Sequence, residues 1–446
     1  MSTLTDDVQF PAGSTLLARW QVGDTAVLER LRLLFDAVIE GQFDALFREP
    51  ASPNSVWVTT SLHLATLTIL NELYGLTSTE FYKGDPQRYV RTTLMTQRFL
   101  GILKLTLGWP VYAFGAECLG QAMIYPDSHA PGADPEEALV NQTNWSELTA
   151  PDFESGIPQI IKDMLVCFSD LTGLEPVAHL PAPYSLAADI FGQEALIAAL
   201  LEAPDFVDEF LGHLTEQIFV PWIDRLSSSV PKVWIELSDA SGSPLFISPR
   251  LFKEIVARPV RRLITDYAWG NRVFVANYRG DHLVQTAGGG RRAAARRRGR
   301  RDKKVEPEAN RTNLSPDALT ELIDFKLSLC PEFIIKLYAD EAPVSFYVNQ
   351  AIHHGKPLYL GIGATRIDRN SIGDREAAKR ELKDTAAEYA QAIKTVSEAL
   401  AQNGQPRSAL PWPGDIYIED INAETDLGLV KTIVETAATY GSISSQ

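Results

Sequence analysis

The sequence predicts an α/β architecture: a (β/α)8 TIM-type barrel with an N-terminal helical extension and a basic insertion loop. Three observations carry this. Beyond about residue 155, short β-rich runs alternate with amphipathic helical stretches, the pattern of βα units. The runs are apolar along most of their length, as strands of a parallel sheet covered on both faces must be. Finally, 446 residues at 45% hydrophobic supply enough apolar material for one large barrel with insertions.

In chain order, residues 1–108 read as the helical extension, with helices expected over 25–48 and 88–106. Residues 109–446 read as the barrel, and the Pro/Asp/Gly/Ala tract at 126–136 within it as a loop. Helices are expected at 157–171, 185–202, 204–227, 249–268, 315–329, 374–402 and 424–440, where apolar residues recur at helical spacing. The strands between them are PVAHL from 176, KVWIELS from 232, RVFVANY from 272, EFIIKLY from 332, PLYLGIG from 357 and DIYIED from 415. Ser248-Pro249 offers an N-cap followed by proline at the first helical position, and Asn403-Gly404 with Pro406 beyond offers a helix stop. Residues 286–313 form a low-complexity insertion after a strand, and in a βα barrel such loops sit at the catalytic end.

Composition excludes several classes. The net charge of −16 disfavours general binding to nucleic acid, whose phosphates are held by neutralising cations. The charge is uneven, because residues 291–304 hold seven Arg, two Lys and one Asp, a local +8. Three widely separated cysteines, Cys118, Cys167 and Cys330, argue against a disulfide framework. No stretch approaches the roughly 18–20 apolar residues needed to cross a bilayer, and the N-terminus MSTLTDDVQF is acidic where a signal peptide is basic. A cytoplasmic protein without a membrane partner is therefore expected.

Three stretches carry a resemblance: FGAECLGQAMIYPDSHAPGADPEEALVNQTNWSELTAPDFESGIPQIIKDM (114–164), APYSLAADIFGQEALIAALLEAPDFVDEFLGHLTEQI (182–218) and IELSDASGSPLFISPRLFKEIVARPVRRLI (235–264). Together they resemble the uroporphyrinogen decarboxylase superfamily, nearer its corrinoid and coenzyme M methyltransferase branch. The resemblance spans roughly residues 110 to 440 and implies the barrel, a methyl or alkyl transfer reaction, a corrinoid protein as partner and pairing into a homodimer. The departures are as informative. The arginine-rich MRQAGR element of the decarboxylase has no counterpart here. The zinc methyltransferases carry His-x-Cys where this chain has Asn277, Tyr278 and Arg279, and a late Cys where it has Gly414 and Asp415. Asn and Tyr are poor zinc ligands, and a thiol-activating zinc needs about three good N, S or O donors, so no metal ligand is assigned and the cofactor is left unknown.

Candidate site residues follow from strand ends. Asp239, after KVWIELS, is placed either as a base or electrostatic stabiliser in the barrel mouth or as a cap on its own turn. After RVFVANY, Asn277, Arg279 and Asp281 are placed as substrate-binding residues, with Arg279 gripping a carboxylate or sulfonate bidentately. Tyr278 and His282 are placed as catalytic, with Asp281 orienting His282. The plain alternative is a surface turn. Asp340 and Glu341 end the next strand as an acid pair, and Arg366 follows PLYLGIG as a second anion clamp. The arginine run reads as a flap over an anionic substrate or as a solvated loop. Three functions stay open: an alkyl transferase acting on a small acceptor, a metal-free decarboxylase or lyase for a small anionic substrate, and a non-catalytic binding protein.

Overall fold

The structure is a computed structural model that describes residues 7–8, 10–48, 55–127, 129–242, 247–278, 316–329, 335–338, 343–404, 414–418 and 421–441. Its strands are β1 (Trp57–Thr60), β2 (Met123–Ile124), β3 (Gly132–Ala133), β4 (Val177–Pro181), β5 (Trp234–Asp239), β6 (Val273–Tyr278), β7 (Ile335–Tyr338), β8 (Leu358–Ile362) and β9 (Asp415–Ile418). All but the antiparallel β2–β3 pair are parallel, and they form two sheets in the orders β1-β9-β8-β7 and β4-β5-β6. The six strands expected from sequence all form. β8, LYLGI, is buried at every position, which is why it reads as a continuous apolar run.

The expected closed ring of eight strands is not shown. Among the described residues no ladder joins β1 to β4 or β6 to β7. The first gap has a physical cause. The helix expected over 88–106 spans Pro86–Phe99 and stops ahead of Gly101, whose φ of +78° turns the chain away. Among the residues that follow, Thr106 and Leu107 give backbone groups to side chains. Gln97 accepts from the Thr106 N–H at 2.9 Å and donates to the Thr106 carbonyl at 2.6 Å, while His179 of β4 meets the Leu107 carbonyl at 3.0 Å. A backbone satisfied in this way has little left to offer a ladder.

The N-terminal segment expected to be helical also supplies β1, which pairs with β9 from Trp57↔Asp415 to Thr60↔Ile418. Other helices differ in detail. The stretch 25–48 divides into Leu28–Ile39 and a 3-10 turn at Asp44–Arg48. The stretch 185–202 breaks at Gly192, φ +93°, into Pro183–Phe191 and Gln193–Glu202, bent by 112°. Among the described residues no single helix is long and apolar enough to cross a membrane.

Candidate active site at the ends of β4, β5 and β6

β5 delivers Asp239 as its last residue, fully buried. The helix Pro183–Phe191 starts two residues after β4 with proline in its first turn, which aims Ser185 at that carboxylate. Ser185 Oγ donates to Asp239 Oδ1 at 2.7 Å and accepts from the Ser241 N–H at 3.0 Å. The Gly242 N–H, three residues on, donates to the same Oδ1 at 2.8 Å, so the carboxylate caps its own turn. Asp239 Oδ2 is buried and has no hydrogen-bond partner among the described residues. One oxygen thus caps the turn, as the structural reading of Asp239 anticipated, and the other is left for chemistry.

Burial pushes the Asp239 carboxyl up to about 6, against the pull of Ser185 and the Gly242 N–H. Position 242 has to be glycine for this to fit, since a Cβ there would lie 2.1 Å from Asp239 Oδ2. The Tyr184 hydroxyl is likewise buried without a hydrogen-bond partner among the described residues, and burial together with the nearby Asp239 charge pushes its pKa up.

Register brings two further sequence candidates here. Asp239 pairs with Tyr278 and Ser238 with Asn277, after a shift between Leu237 and Ser238 that advances β6 by one residue. Asn277 and Tyr278 therefore end the strand beside Asp239. Arg279, Asp281, His282, Asp340 and Glu341 lie outside the described residues, as does the arginine run. Arg366 sits in a 3-10 turn after β8, where it donates to Glu381 at 2.8 Å and to Thr385 at 2.9 Å, so its guanidinium already bonds to the helix Arg375–Gln402. Asp415 opens β9, at the N-terminal end of its strand, and is ion-paired with Lys104 at 2.8 Å. It is the first residue of its strand, whereas Asp239 is the last of β5.

Sequence reasoning missed three groups. Ser185 and Tyr184 looked like the start of an ordinary core helix. Asp189, one turn beyond Ser185, has a buried Oδ2 without a partner among the described residues, and burial pushes its carboxyl up to about 7. A carboxylate inside PYSLAADIF, otherwise uncharged, was the signal available. His63 is half-buried, its Nδ1 2.8 Å from the Tyr82 hydroxyl, and desolvation lowers it to about 4, so it is a neutral histidine packed on the core. Among the described residues no three His, Cys, Asp or Glu side chains group as a metal site.

No protein-family model matches the chain, and no curated protein matches it. Among solved structures it is similar to a methyltransferase from Methanosarcina mazei, with 13% sequence identity and a TM-score of 0.54 over 92% of this chain and 98% of that one. At that identity the likeness is one of fold: a mixed α/β architecture with parallel sheets, followed along nearly the whole chain.

Proposed function

We propose that this chain is an alkyl-transfer enzyme of the uroporphyrinogen decarboxylase-like class, moving a methyl or other small alkyl group from a carrier to a small acceptor. The observation that carries the reading is Asp239: a buried carboxylate at a strand end, fixed through one oxygen and, among the described residues, unpartnered through the other. The fold shared with a methyltransferase supports the same reading. An acceptor X–H bound against Oδ2 gives its proton to the carboxylate as X attacks the alkyl carbon, and the carrier leaves with the bonding pair. A carboxyl of pKa about 6 is mostly ionised at neutral pH, which suits a base.

A corrinoid protein is the carrier this class implies, and a homodimer the assembly. The residues do not fit a thiol-activating zinc: Asn277 and Tyr278 are poor donors, Asp239 Oδ1 is already held by two hydrogen bonds, and Asp415 is paired with Lys104 at the far end of β9. No step is routed through such a metal. Arg279, Asp281 and His282 complete the site in this proposal as anion clamp and acid–base pair, with Asp340 as a further acid; all four lie outside the described residues.

The second reading, a metal-free decarboxylase or lyase, rests on the same raised carboxyl, which in its neutral form would protonate a carbanion-like centre. The pH dependence of kcat/KM separates the two. Methylcobalamin with a panel of small thiols and amines tests transfer, and small carboxylic acids test CO2 release. Transfer that rises with pH through about 6 and is lost in Asp239→Asn supports the base. CO2 release that falls above that pH supports the acid and overturns the transferase reading.

A further inference from the structure

Between the first residues of β1 and β4 lies a cavity of about 540 Å3, lined by Trp57 and Val177, which open the two strands. Strands joined in a ladder lie about 4.8 Å apart and leave no such space between them. Leu103, Leu105 and Leu107 form a further wall. Their stretch is tied to β1 where Thr106 Oγ1 donates to the Thr60 carbonyl at 3.4 Å, and to β4 where the Leu107 carbonyl meets His179 at 3.0 Å. Val177 pairs with Trp234, and Asp239 lies five residues further along β5, which at about 3.3 Å per residue is roughly 16 Å beyond that pair.

The chemistry of the walls decides what can occupy the space. Seven lining side chains are charged, hydroxyl-bearing or imidazole, and each already has a partner within the protein. Lys104 is ion-paired with Asp415 at 2.8 Å, while Glu175 is met by Arg272 at 3.2 Å and by the Trp234 indole N–H at 2.8 Å. Arg98 donates to the Leu46 carbonyl at 2.9 Å, and Arg48, exposed to water, donates to that of Asp170 at 2.9 Å. His179 sits between the Leu107 carbonyl and Glu236, the latter 3.1 Å away. Thr106 and Thr172 donate to the carbonyls of Thr60 and Phe168. An ion entering the cavity would lose its water and gain no free counter-charge. What is left for a ligand is apolar: the three leucines with Phe47, Phe168 and Leu174. Leu103 and Leu174 are 48% and 45% exposed, so the apolar surface continues out to solvent.

We propose that this cavity binds a small neutral apolar molecule, a compact aromatic or alicyclic body without a charged group, independently of the site at Asp239. Apolar cavities take up molecules such as benzene, because apolar area leaves water and no polar group is given up. The volume falls in the range of roughly 300–1,000 Å3 common for small-molecule sites. Satisfied walls also set the selectivity, since a charged analogue of the same shape is rejected by its own desolvation.

The test uses the full-length protein with N-phenyl-1-naphthylamine as a neutral fluorescent probe, and naphthalene and naphthalene-1-sulfonate as competitors sharing one ring system. The result expected is saturable binding of one probe per chain, displaced by naphthalene, with the sulfonate weaker by at least about tenfold. The double variant Leu103→Glu with Leu174→Glu is expected to weaken the probe by at least about tenfold, because the ligand would then border two carboxylates. Both positions are about half exposed, so the new charges stay hydrated, and melting curves superimposable on the wild type verify the fold. The competition in the wild-type protein needs neither substitution. The proposal is overturned by an absence of saturable binding, or by a sulfonate that competes as well as naphthalene, which would reveal an unanswered cation. Probe affinity unchanged in the folded double variant would also overturn it, by placing the probe elsewhere.

Discussion

At the level of single residues, Asp239 sets stability against chemistry. Its carboxyl is raised from 3.8 to about 6 by burial, so the folded state holds a proton that the unfolded chain has released. The stabilisation is complete below pH 3.8 and is lost as pH rises through about 6. A shift of this size corresponds to about 3 kcal/mol. Asp239→Asn keeps the acceptor for Ser185 and the Gly242 N–H and cannot ionise. It is expected to match the wild type near pH 4 and to be more stable by about 2–3 kcal/mol at pH 7 in urea unfolding, while losing activity. Equal stability at both pH values would show that the carboxylate is better solvated than its burial implies. Gly242→Ala acts on the same turn, because its Cβ would overlap Asp239 Oδ2 and must displace either the turn or the carboxylate. A loss of about 1–3 kcal/mol in the same assay is expected. Asp239 was legible in the sequence because a strand reading placed it at a strand end. Ser185 was not, since nothing in a single chain reports that the helix after β4 lies over the end of β5.

Among elements, those with an uninterrupted period were readable and those that change period were not. The helix Gly156–Thr172 was expected at 157–171 because its apolar positions never leave the helical spacing. The helix expected over 88–106 was drawn too long. Leu103, Leu105 and Leu107 alternate with Lys104 and Thr106, a period of two that marks extended chain. β1 was missed because four residues are too few for periodicity to register, although Val56 and Val58 with Thr59 and Thr60 are residues that favour strands. The extended segment depends on Gln97, whose amide satisfies both backbone groups of Thr106. Gln97→Leu would leave a donor and an acceptor unpaired, at a cost of about 2–5 kcal/mol in thermal or urea unfolding. A cost under about 1 kcal/mol would mean that water replaces the amide, and that the segment needs no clamp.

For the whole molecule, the question is what holds a sheet with open seams together. The seven parallel strands follow chain order across the two sheets except that β9 returns to pair with β1, so the last strand is secured by the first. Residues 1–108, read from sequence as a helical extension packed on the barrel, supply β1 and also Lys104, which meets Asp415 at the foot of β9. No local pattern could reveal that pairing, because its partners are 311 residues apart. Both side chains are buried, at 8% and 1% exposure, so neither charge has water to fall back on. In such a pair the desolvation penalty is offset only while both partners remain. Lys104→Met and Asp415→Asn are each expected to cost about 3–5 kcal/mol, since each leaves an interior charge without its counterpart. The double variant removes both charges and should cost less than the two single losses added together, by more than about 1 kcal/mol in a denaturant-unfolding cycle. Strict additivity would mean that the two groups reach other partners independently, and that β9 is held to the N-terminal segment by its ladder with β1 alone.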